Sequence, residues 1–484
     1  MNKKSKYKYL AKNTGLLTIS SFGSKILGFL LVPLYTNKLS TSDYGRVDLI
    51  STTVSFLIPI LTINIASAVM RFSIDDPQKA DSKLKYGAVF IFYSSLVLAA
   101  GLYIFSKINL VPWEWYYYIF LFLLFVFESY EGLFTQYLRG IDKVNIMVVS
   151  SLISTIVRLL FNIITLAILN WGVFGYLTAM LAGPAFSILY SFVIIRPVAI
   201  VKKSKIDYSN AIYKEMNKYA FVLGINAVGW TIATSLDKYI LTWLKGVSEN
   251  GIYSVSYKIP SIITVLCTIF SQAWSLSAIK EYNKEDEDGF FSKTFEMYSA
   301  GLCICCSALI ILNIPLSRLM YAKGFFEAWK YTPTLILAML FNGLSGFLAS
   351  VFTAVKKNGI LAISTMASAI INLILNFILI PQMGTLGAAI ATAFSFFVVF
   401  IIRFWGSKKH IKYHISIVKD AIVFLLLFVQ IVLSFYANKY LYIQGMILLC
   451  IIICHWISIK VVVANMSYMF KSIIGVFKNN DKTK

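Results

Sequence analysis

Charge is scarce in this chain of 484 residues: only 14% of it is Asp, Glu, Lys or Arg, against roughly a quarter in ordinary soluble domains. That deficit excludes a soluble enzyme. Acids are scarcer still, 22 against 44 Lys and Arg, which gives a formal net charge of +22. There are three histidines and six cysteines. Cys267, Cys303, Cys305, Cys306, Cys450 and Cys454 all lie within apolar stretches, without the spacing or polar surroundings of a zinc site or a disulfide framework. They read as small core hydrophobes. No G-x-x-x-x-G-K-[ST] loop is present, so the chain does not hydrolyse nucleotide to drive itself, and no H-E-x-x-H helix marks a metal site. His410 and His414 stand at helical spacing in a Lys-rich segment that reads as solvated surface, and His455 reads as incidental. No cofactor is expected. The basic stretch Lys3 to Lys12 is followed by an apolar run without a small-residue cleavage site, so the first helix is expected to stay in the mature protein.

Apolar residues are what the chain has in excess, at 58%, with a mean hydropathy of +0.74. Almost any window of about 20 residues, enough to cross a hydrocarbon core roughly 30 Å thick, is therefore apolar. Cutting at charges, prolines and turn clusters predicts about fourteen spans, which makes the fold an all-α polytopic membrane protein. The spans are 12-35, 47-70, 86-106, 116-138, 144-169, 174-195, 219-243, 252-278, 294-314, 332-354, 360-380, 386-406, 417-437 and 441-463. The connecting segments are all short and leave no room for a soluble catalytic domain.

With the N-terminus inside, about 31 basic residues fall on inner segments against about 8 outside, a bias that places both termini in the cytoplasm. Most of the +22 is thus a topology signal, and no nucleic-acid partner is expected. The outer loops carry Trp113, Trp115, Tyr116, Tyr117, Tyr118, Trp171, Trp243 and Trp329, whose apolar bodies and polar tips favour the headgroup interface. They support the same orientation independently.

A repeat organises the chain. Phe127 to Leu166 aligns with Phe341 to Ile380 at a constant offset of 214, matching Phe127 with Phe341, Gly132 with Gly346, Lys143 with Lys357, Ser150 with Ser364 and Asn162 with Asn376. A weaker match at offset 206 sets Thr36, Ser42 and Gly45 against Thr242, Ser248 and Gly251. Repeats an even six spans apart share topology and imply two lobes related by an axis along the membrane normal. The expected division is a six-helix lobe over 1-206, a second over 207-406, and an added helix pair with a tail over 407-484.

Charges inside spans are the candidate functional residues. Lys238, Lys460 and Arg139 fit snorkelling near an interface. Lys25 and Arg158 lie near the middle of the first and fifth spans, where a charge costs at least about 2.5 to 3.5 kcal/mol and needs a partner or a wet cavity. Asp237 and Lys258 each lie about seven residues from the hairpin that joins the seventh and eighth spans, roughly 10 Å below the outer surface, and form a candidate ion pair. Glu128 and Glu131 share one face of the fourth span, continued by Thr135 and Arg139. Two carboxylates so close in a low dielectric do not easily both ionise, so they suit a proton or cation relay. The structural alternative is a network with Arg158 or Arg139. Gly23, Gly28 and Pro33, with Pro59, Pro184 and Pro260, mark bends or close packing.

Four stretches resemble one family: Thr18 to Leu31 with Leu39-Ser40-Thr41-Ser42-Asp43-Tyr44-Gly45; Ala68-Val69-Met70-Arg71-Phe72; Ser235-Leu236-Asp237-Lys238-Tyr239-Ile240-Leu241; and Gly251-Ile252-Tyr253-Ser254-Val255-Ser256-Tyr257-Lys258-Ile259. Together with the span count and the two-lobe repeat, they make the chain similar to polysaccharide biosynthesis flippases. These are the O-antigen and capsule type of the multidrug/oligosaccharidyl-lipid/polysaccharide exporter superfamily. The resemblance implies two six-helix bundles around a cavity that opens alternately to either face. It implies a polyprenyl-pyrophosphate glycolipid as substrate, moved to the outer leaflet of the cell membrane, with polysaccharide polymerases and glycosyltransferases as candidate partners. Relatives place basic residues in the cavity walls, including the first and eighth helices, where Lys25 and Lys258 stand here. Arg158 joins them on depth alone.

A lipid II flippase shares this physics and differs only in the glycan. A cation-coupled drug exporter would want buried acids to outnumber buried cations; Glu128, Glu131 and Asp237 are its candidates. A membrane glycosyltransferase or glycan polymerase would need catalytic carboxylates in a sizeable outer loop, and the segment from Pro315 to Tyr331 offers only Glu327. The chain is therefore expected not to be an enzyme. The charge bias makes its own prediction: a fluorescent-protein fusion at the C-terminus is expected to be bright and an alkaline-phosphatase fusion there inactive, and the reverse pattern would invert the topology.

Overall fold

The structure, a computed structural model, describes residues 28–108, 114–196, 211–355, 357, 359–413, 416–436, 440–456 and 460. Lys25, Gly23 and most of the first predicted span lie outside the described residues. No strand occurs among those described. Seventeen α-helices carry the fold: α1 (Val32–Lys38), α2 (Thr41–Leu61), α3 (Ile65–Asp75), α4 (Ala80–Ile108), α5 (Trp115–Gly140), α6 (Val144–Asn162), α7 (Gly172–Ile195), α8 (Ala211–Lys245), α9 (Val247–Ser256), α10 (Ser261–Lys280), α11 (Phe290–Ile311), α12 (Asn313–Met320), α13 (Thr332–Ala354), α14 (Gly359–Met383), α15 (Thr385–Ser407), α16 (Ile417–Ser434) and α17 (Leu441–Cys454). Among the described residues, 10 spans are long and apolar enough to cross a membrane, or up to 12 if each bent pair counts as one. The protein is an all-helical, polytopic membrane protein.

Three predicted spans are not single straight helices, and of these the seventh bends by 46° between Ile232 and Thr234 of α8. The second divides into α2 and α3, with Ile63 and Asn64 at φ 44° and 62° between them. Pro59 has no N–H to offer the helix there, and Asn tolerates the left-handed conformation better than most residues. The eighth divides into α9 and α10 at the turn Tyr257 to Pro260. The fifth keeps its predicted length, with α6 running on into a π-helical stretch, Ile163–Ile168.

Large apolar side chains on the outside, such as Phe92, Tyr93, Val97 and Ile104 on α4, are exposed. Facing hydrocarbon they cost nothing, whereas an exposed backbone group there would cost several kcal/mol, so helices supply the whole fold.

Contacts divide the chain into two compact units. The first comprises residues 1–255, 320–326 and 373–385; the second comprises 256–319, 327–372 and 386–484. In the first, α3, α4, α5 and α8 share a core around Val69, Leu84, Leu133 and Met216. A second core around Ile50, Leu121, Phe125 and Leu177 joins α2, α5 and α7. Lys83, 1% exposed, donates to the carbonyls of Phe72 (2.6 Å) and Asp76 (2.8 Å). Its charge closes the C-terminal end of α3, where unsatisfied carbonyls gather.

The tightest contact in this unit is a crossing of α2 and α9. A Cβ added to Gly45 would stand 2.1 Å from the Val247 carbonyl oxygen, and one added to Gly251 would stand 1.9 Å from that of Thr41. Each glycine thus meets the carbonyl four residues before the other. Thr41 and Ser248 join their hydroxyls at 2.7 Å across the same contact.

In the second unit α13 is central, burying Leu340, Leu344, Phe347, Leu348 and Val351. Rings stack beside it, Phe270 on Tyr298 at 4.1 Å and Trp274 on Phe347 at 4.4 Å. Arg403, 8% exposed, donates to Ser364 Oγ (3.0 Å), the Ser345 carbonyl (3.1 Å) and Thr365 Oγ1 (3.2 Å). The added pair α16 and α17 packs on α11, where Lys419 pairs with Glu296 at 2.9 Å and Gln430 donates to the Ser307 carbonyl.

The glycine crossing predicts a sharp contrast. Gly251→Val is expected to lower stability by about 1 to 3 kcal/mol or more, because backbone rather than a flexible side chain must yield. Gly101→Ala, with open space around it, is expected to be neutral or mildly stabilising. Thermal unfolding of the purified protein in detergent reads both, and equal behaviour would refute the crossing.

Candidate functional site

The α2–α9 crossing sets up the first cluster. Asp48 follows Gly45 by one helical turn and so faces α8 and α9. Lys238 of α8 meets both Asp48 oxygens, at 3.0 and 3.1 Å, with each side chain 19% exposed. Ser254 donates its hydroxyl to Asp48 at 2.7 Å, and the Asn250 amide donates to the Gly45 carbonyl at 3.2 Å. Beside the pair, Thr53 and Tyr239 share a hydrogen bond of 2.8 Å. Lys238, which its sequence position suggested would snorkel, is thus paired with a carboxylate on a neighbouring helix. Asp237, its neighbour in the chain, is 3% exposed and accepts the Tyr253 hydroxyl at 2.5 Å and the Lys238 N–H at 2.9 Å. Lys258 stands in the turn between α9 and α10, a half-buried residue of the second unit whose carbonyl accepts the Ser261 hydroxyl.

The second cluster lies on α5, α6 and α7 of the first unit. Arg158 of α6 passes over Gly183 of α7, where an added Cβ would come within 3.2 Å of the arginine Nε. That Nε is buried without a hydrogen-bond partner, and among the described residues no carboxylate lies within ion-pair distance of the guanidinium. Its charge acts through space on Glu128 of α5, which Glu131 also faces, and on Tyr35 of α1. Tyr35 stands edge-on to Tyr176 at 4.6 Å, with Tyr44 6.1 Å from Tyr176. Arg158, Glu128 and Glu131 thus stand on two neighbouring helices of the first unit, α5 and α6. Nothing lies within 4 Å of a Cβ added to Gly132 on this stretch of α5, so the wall that carries the acids opens onto free space. Arg139, one turn beyond Thr135, is exposed.

Applying the 214-residue offset to this cluster gives a contrast. Glu128, Glu131 and Arg158 correspond to Asn342, Ser345 and Asn372 of the second unit. There the Asn372 amide donates to Thr392 Oγ1 at 3.5 Å, and Ser345 supports Arg403 through its carbonyl. The repeat keeps the helices and drops the charges.

Residues 10–275 match the family described as polysaccharide biosynthesis protein. The chain belongs to that family. Over 235 residues, 46% of its own length and 58% of the other, this polysaccharide biosynthesis protein is 27% identical to the capsular polysaccharide biosynthesis protein CapF of Staphylococcus aureus. Among solved structures it is similar to the lipid II flippase MurJ in an inward closed conformation. That likeness has a TM-score of 0.63 and 16% identity over 93% of this chain and 99% of that one. It is also similar to an inward-facing MATE family transporter of the MOP superfamily, with a TM-score of 0.63 and 14% identity over 80% and 94%. The polysaccharide biosynthesis protein therefore has the fold of MOP-superfamily transporters, and the family drawn from its motifs is the one its sequence matches.

Asp48, Asn250, Ser254 and the tyrosines 35, 44 and 176 were absent from the sequence-derived candidates. Asp48 had a signal, an acid inside the second predicted span opposite the Asp-Lys element. The tyrosines had none, since in a chain with 29 of them a single tyrosine in a span carries little information.

The Asp48–Lys238 pair is testable by a double-mutant cycle. Asp48→Asn and Lys238→Met are each expected to destabilise by leaving a half-buried charge unmatched, and the double variant to recover roughly 0.5 to 3 kcal/mol relative to their sum. Additive losses in thermal unfolding would refute the coupling.

Proposed function

We propose that this protein is a flippase that carries a polyprenyl-pyrophosphate-linked oligosaccharide from the cytoplasmic to the outer leaflet of the cell membrane by alternating access. Arg158 is the observation that carries this reading. Its half-buried guanidinium, with an unbonded Nε, stands within a span, and among the described residues no carboxylate lies at ion-pair distance. A pyrophosphate is the headgroup that such a cation suits, because guanidinium and phosphate oxygens form charge-assisted, often bidentate hydrogen bonds. Lys258 and Lys25 are the other proposed contacts. Glu128 and Glu131, three residues apart on one face of α5, are the proposed proton or cation relay. Asp237 is proposed as structural, because the Tyr253 hydroxyl already occupies it.

The reading keeps 1-206 and 207-406 as the repeated six-helix lobes, with 407-484 as an addition, both termini cytoplasmic, and glycosyltransferases and a polymerase acting before and after it. It involves no catalysis by this chain.

Arg158→Gln is expected to reduce surface polysaccharide at least about tenfold at equal membrane abundance, and Arg158→Lys to retain part of it, because lysine keeps the charge but not the fork. Native mass spectrometry of the purified protein with undecaprenyl pyrophosphate, undecaprenol, lipid II and a cationic dye in competition gives the binding counterpart. The proposal expects selective retention of the pyrophosphate lipids, lost in Arg158→Gln. Preference for the dye, or unchanged export in Arg158→Gln, would overturn it.

A further inference from the structure

The added helix pair closes on α11 around four ionisable side chains that the proposed function does not use. α11, α16 and α17 pack on one another within the second unit. Two bonds set the register of α16 on α11: Gln430 donates to the Ser307 carbonyl at 3.2 Å, and Lys419 pairs with Glu296 at 2.9 Å. The two contacts lie eleven residues apart on each helix, so the helices run parallel and Glu296 stands level with the first turn of α16. α17 returns antiparallel, and its buried face, Gln444, Ile447 and Ile451, is continued by the C-cap residue His455. The buried stripe of α16 holds Gln430, Leu427, Val423 and Asp420. Asp420 and His455 each stand fourteen residues from the turn end of their helix, Ser434 and Leu441. They therefore lie opposite each other, at the level of the Lys419–Glu296 pair.

His455 is 1% exposed, and both of its ring nitrogens are buried without a hydrogen-bond partner. A neutral imidazole has one N–H to donate and one nitrogen to accept, so each unbonded atom costs free energy. Asp420 is 8% exposed, and among the described residues its carboxylate has no ion-pair partner. Two acids and one lysine leave the group one negative charge in excess, where an uncompensated charge is costly. One proton removes it. The helix ends favour the same change, since the first turn of α16 suits a carboxylate and the last turn of α17 a cation. A metal ion suits the group less well: the Lys419 ammonium already occupies Glu296, and among the described residues no three His, Cys, Asp or Glu side chains are arranged to hold one. The Lys419–Glu296 pair is within electrostatic reach of both Asp420 and His455, and the Cys303 thiol of α11 within reach of Asp420. Lys293, one turn before Glu296, is exposed and bonds the Asp288 carbonyl, and Cys454 is exposed.

We infer that Asp420 and His455 form a proton-binding site that fastens the hairpin of α16 and α17 to α11. One proton, shared between the carboxylate and the imidazole, balances the charge of the group. Its loss leaves the carboxylate uncompensated and loosens the hairpin. Nothing in this depends on what the protein transports.

The test is thermal unfolding of the full-length protein in detergent, as wild type, Asp420→Asn, His455→Phe and the double variant, at about pH 5.5 and about pH 8.5, on either side of the ordinary histidine range. The sign follows from linkage. A site that holds its proton more tightly in the fold than in the unfolded chain stabilises at low pH, and that contribution is lost as pH rises through the titration of the folded site. Asp420→Asn carries no charge to balance. Its midpoint is expected to lie level with the wild type at the lower pH and about 2 to 4 °C above it at the higher one. His455→Phe is expected to lower the midpoint of the wild type by a similar amount and to leave that of Asp420→Asn nearly unchanged. An equal effect of His455→Phe in both backgrounds, the behaviour of an idle buried ring, would overturn the site, and so would an Asp420→Asn difference that does not change with pH. Should His455→Phe fail to fold, the Asp420→Asn comparison decides alone, because asparagine keeps the shape of a protonated carboxyl.

Discussion

Much of the first unit depends on two glycines meeting backbone to backbone. Gly45 and Gly251 let α2 and α9 cross closer than any side chain would permit, and in a membrane such proximity is a main source of helix association, since apolar side chains gain nothing by leaving lipid for one another. The crossing fixes where Asp48 stands. From there it presents a carboxylate to Lys238, Ser254 and Asn250. The two glycines also occupy matched positions of the 206-residue repeat, and each touches the carbonyl four residues before the other. That is the reciprocity of a two-fold contact, i to j and j to i, realised within one chain.

The stronger repeat shows the complementary behaviour. Duplication preserves what packing needs: Gly132 and Gly346 stay open, and Ser150 and Ser364 both bond to a neighbouring helix, the first to Ser187 and the second to Arg403. Groups that carry charge diverged. Glu128, Glu131 and Arg158 have neutral counterparts in Asn342, Ser345 and Asn372. The first unit is left with an arginine whose Nε is buried and unbonded, and the second with a wall of hydroxyls and amides.

Some charges that the sequence assigns to topology have local work as well. Lys83 closes the end of α3, and Lys419 anchors α16 to α11 through Glu296. An inner-loop count treats such lysines alike, because positive-inside bias depends on number and not on partners. Only the fold reveals that they are bonded, and to what.

By itself the sequence determined the class, the family and the rough course of most spans, and it carries the repeat. Each of these rests on information local in the chain: twenty-residue apolar runs, glycine and proline punctuation, and residue identities at a fixed offset. It also placed Arg158, Glu128 and Glu131 at depth, because depth follows from position within a span. The tertiary structure decided which of these charges meet. That Lys238 turns to Asp48, 190 residues away, that Arg158 passes over Gly183 of α7, and that five polar residues of α10 share a cavity with α13 depend on helix rotation and crossing. Those are set by close packing at Gly45, Gly183, Gly251 and Gly343, where the missing Cβ matters only once a second helix lies against it.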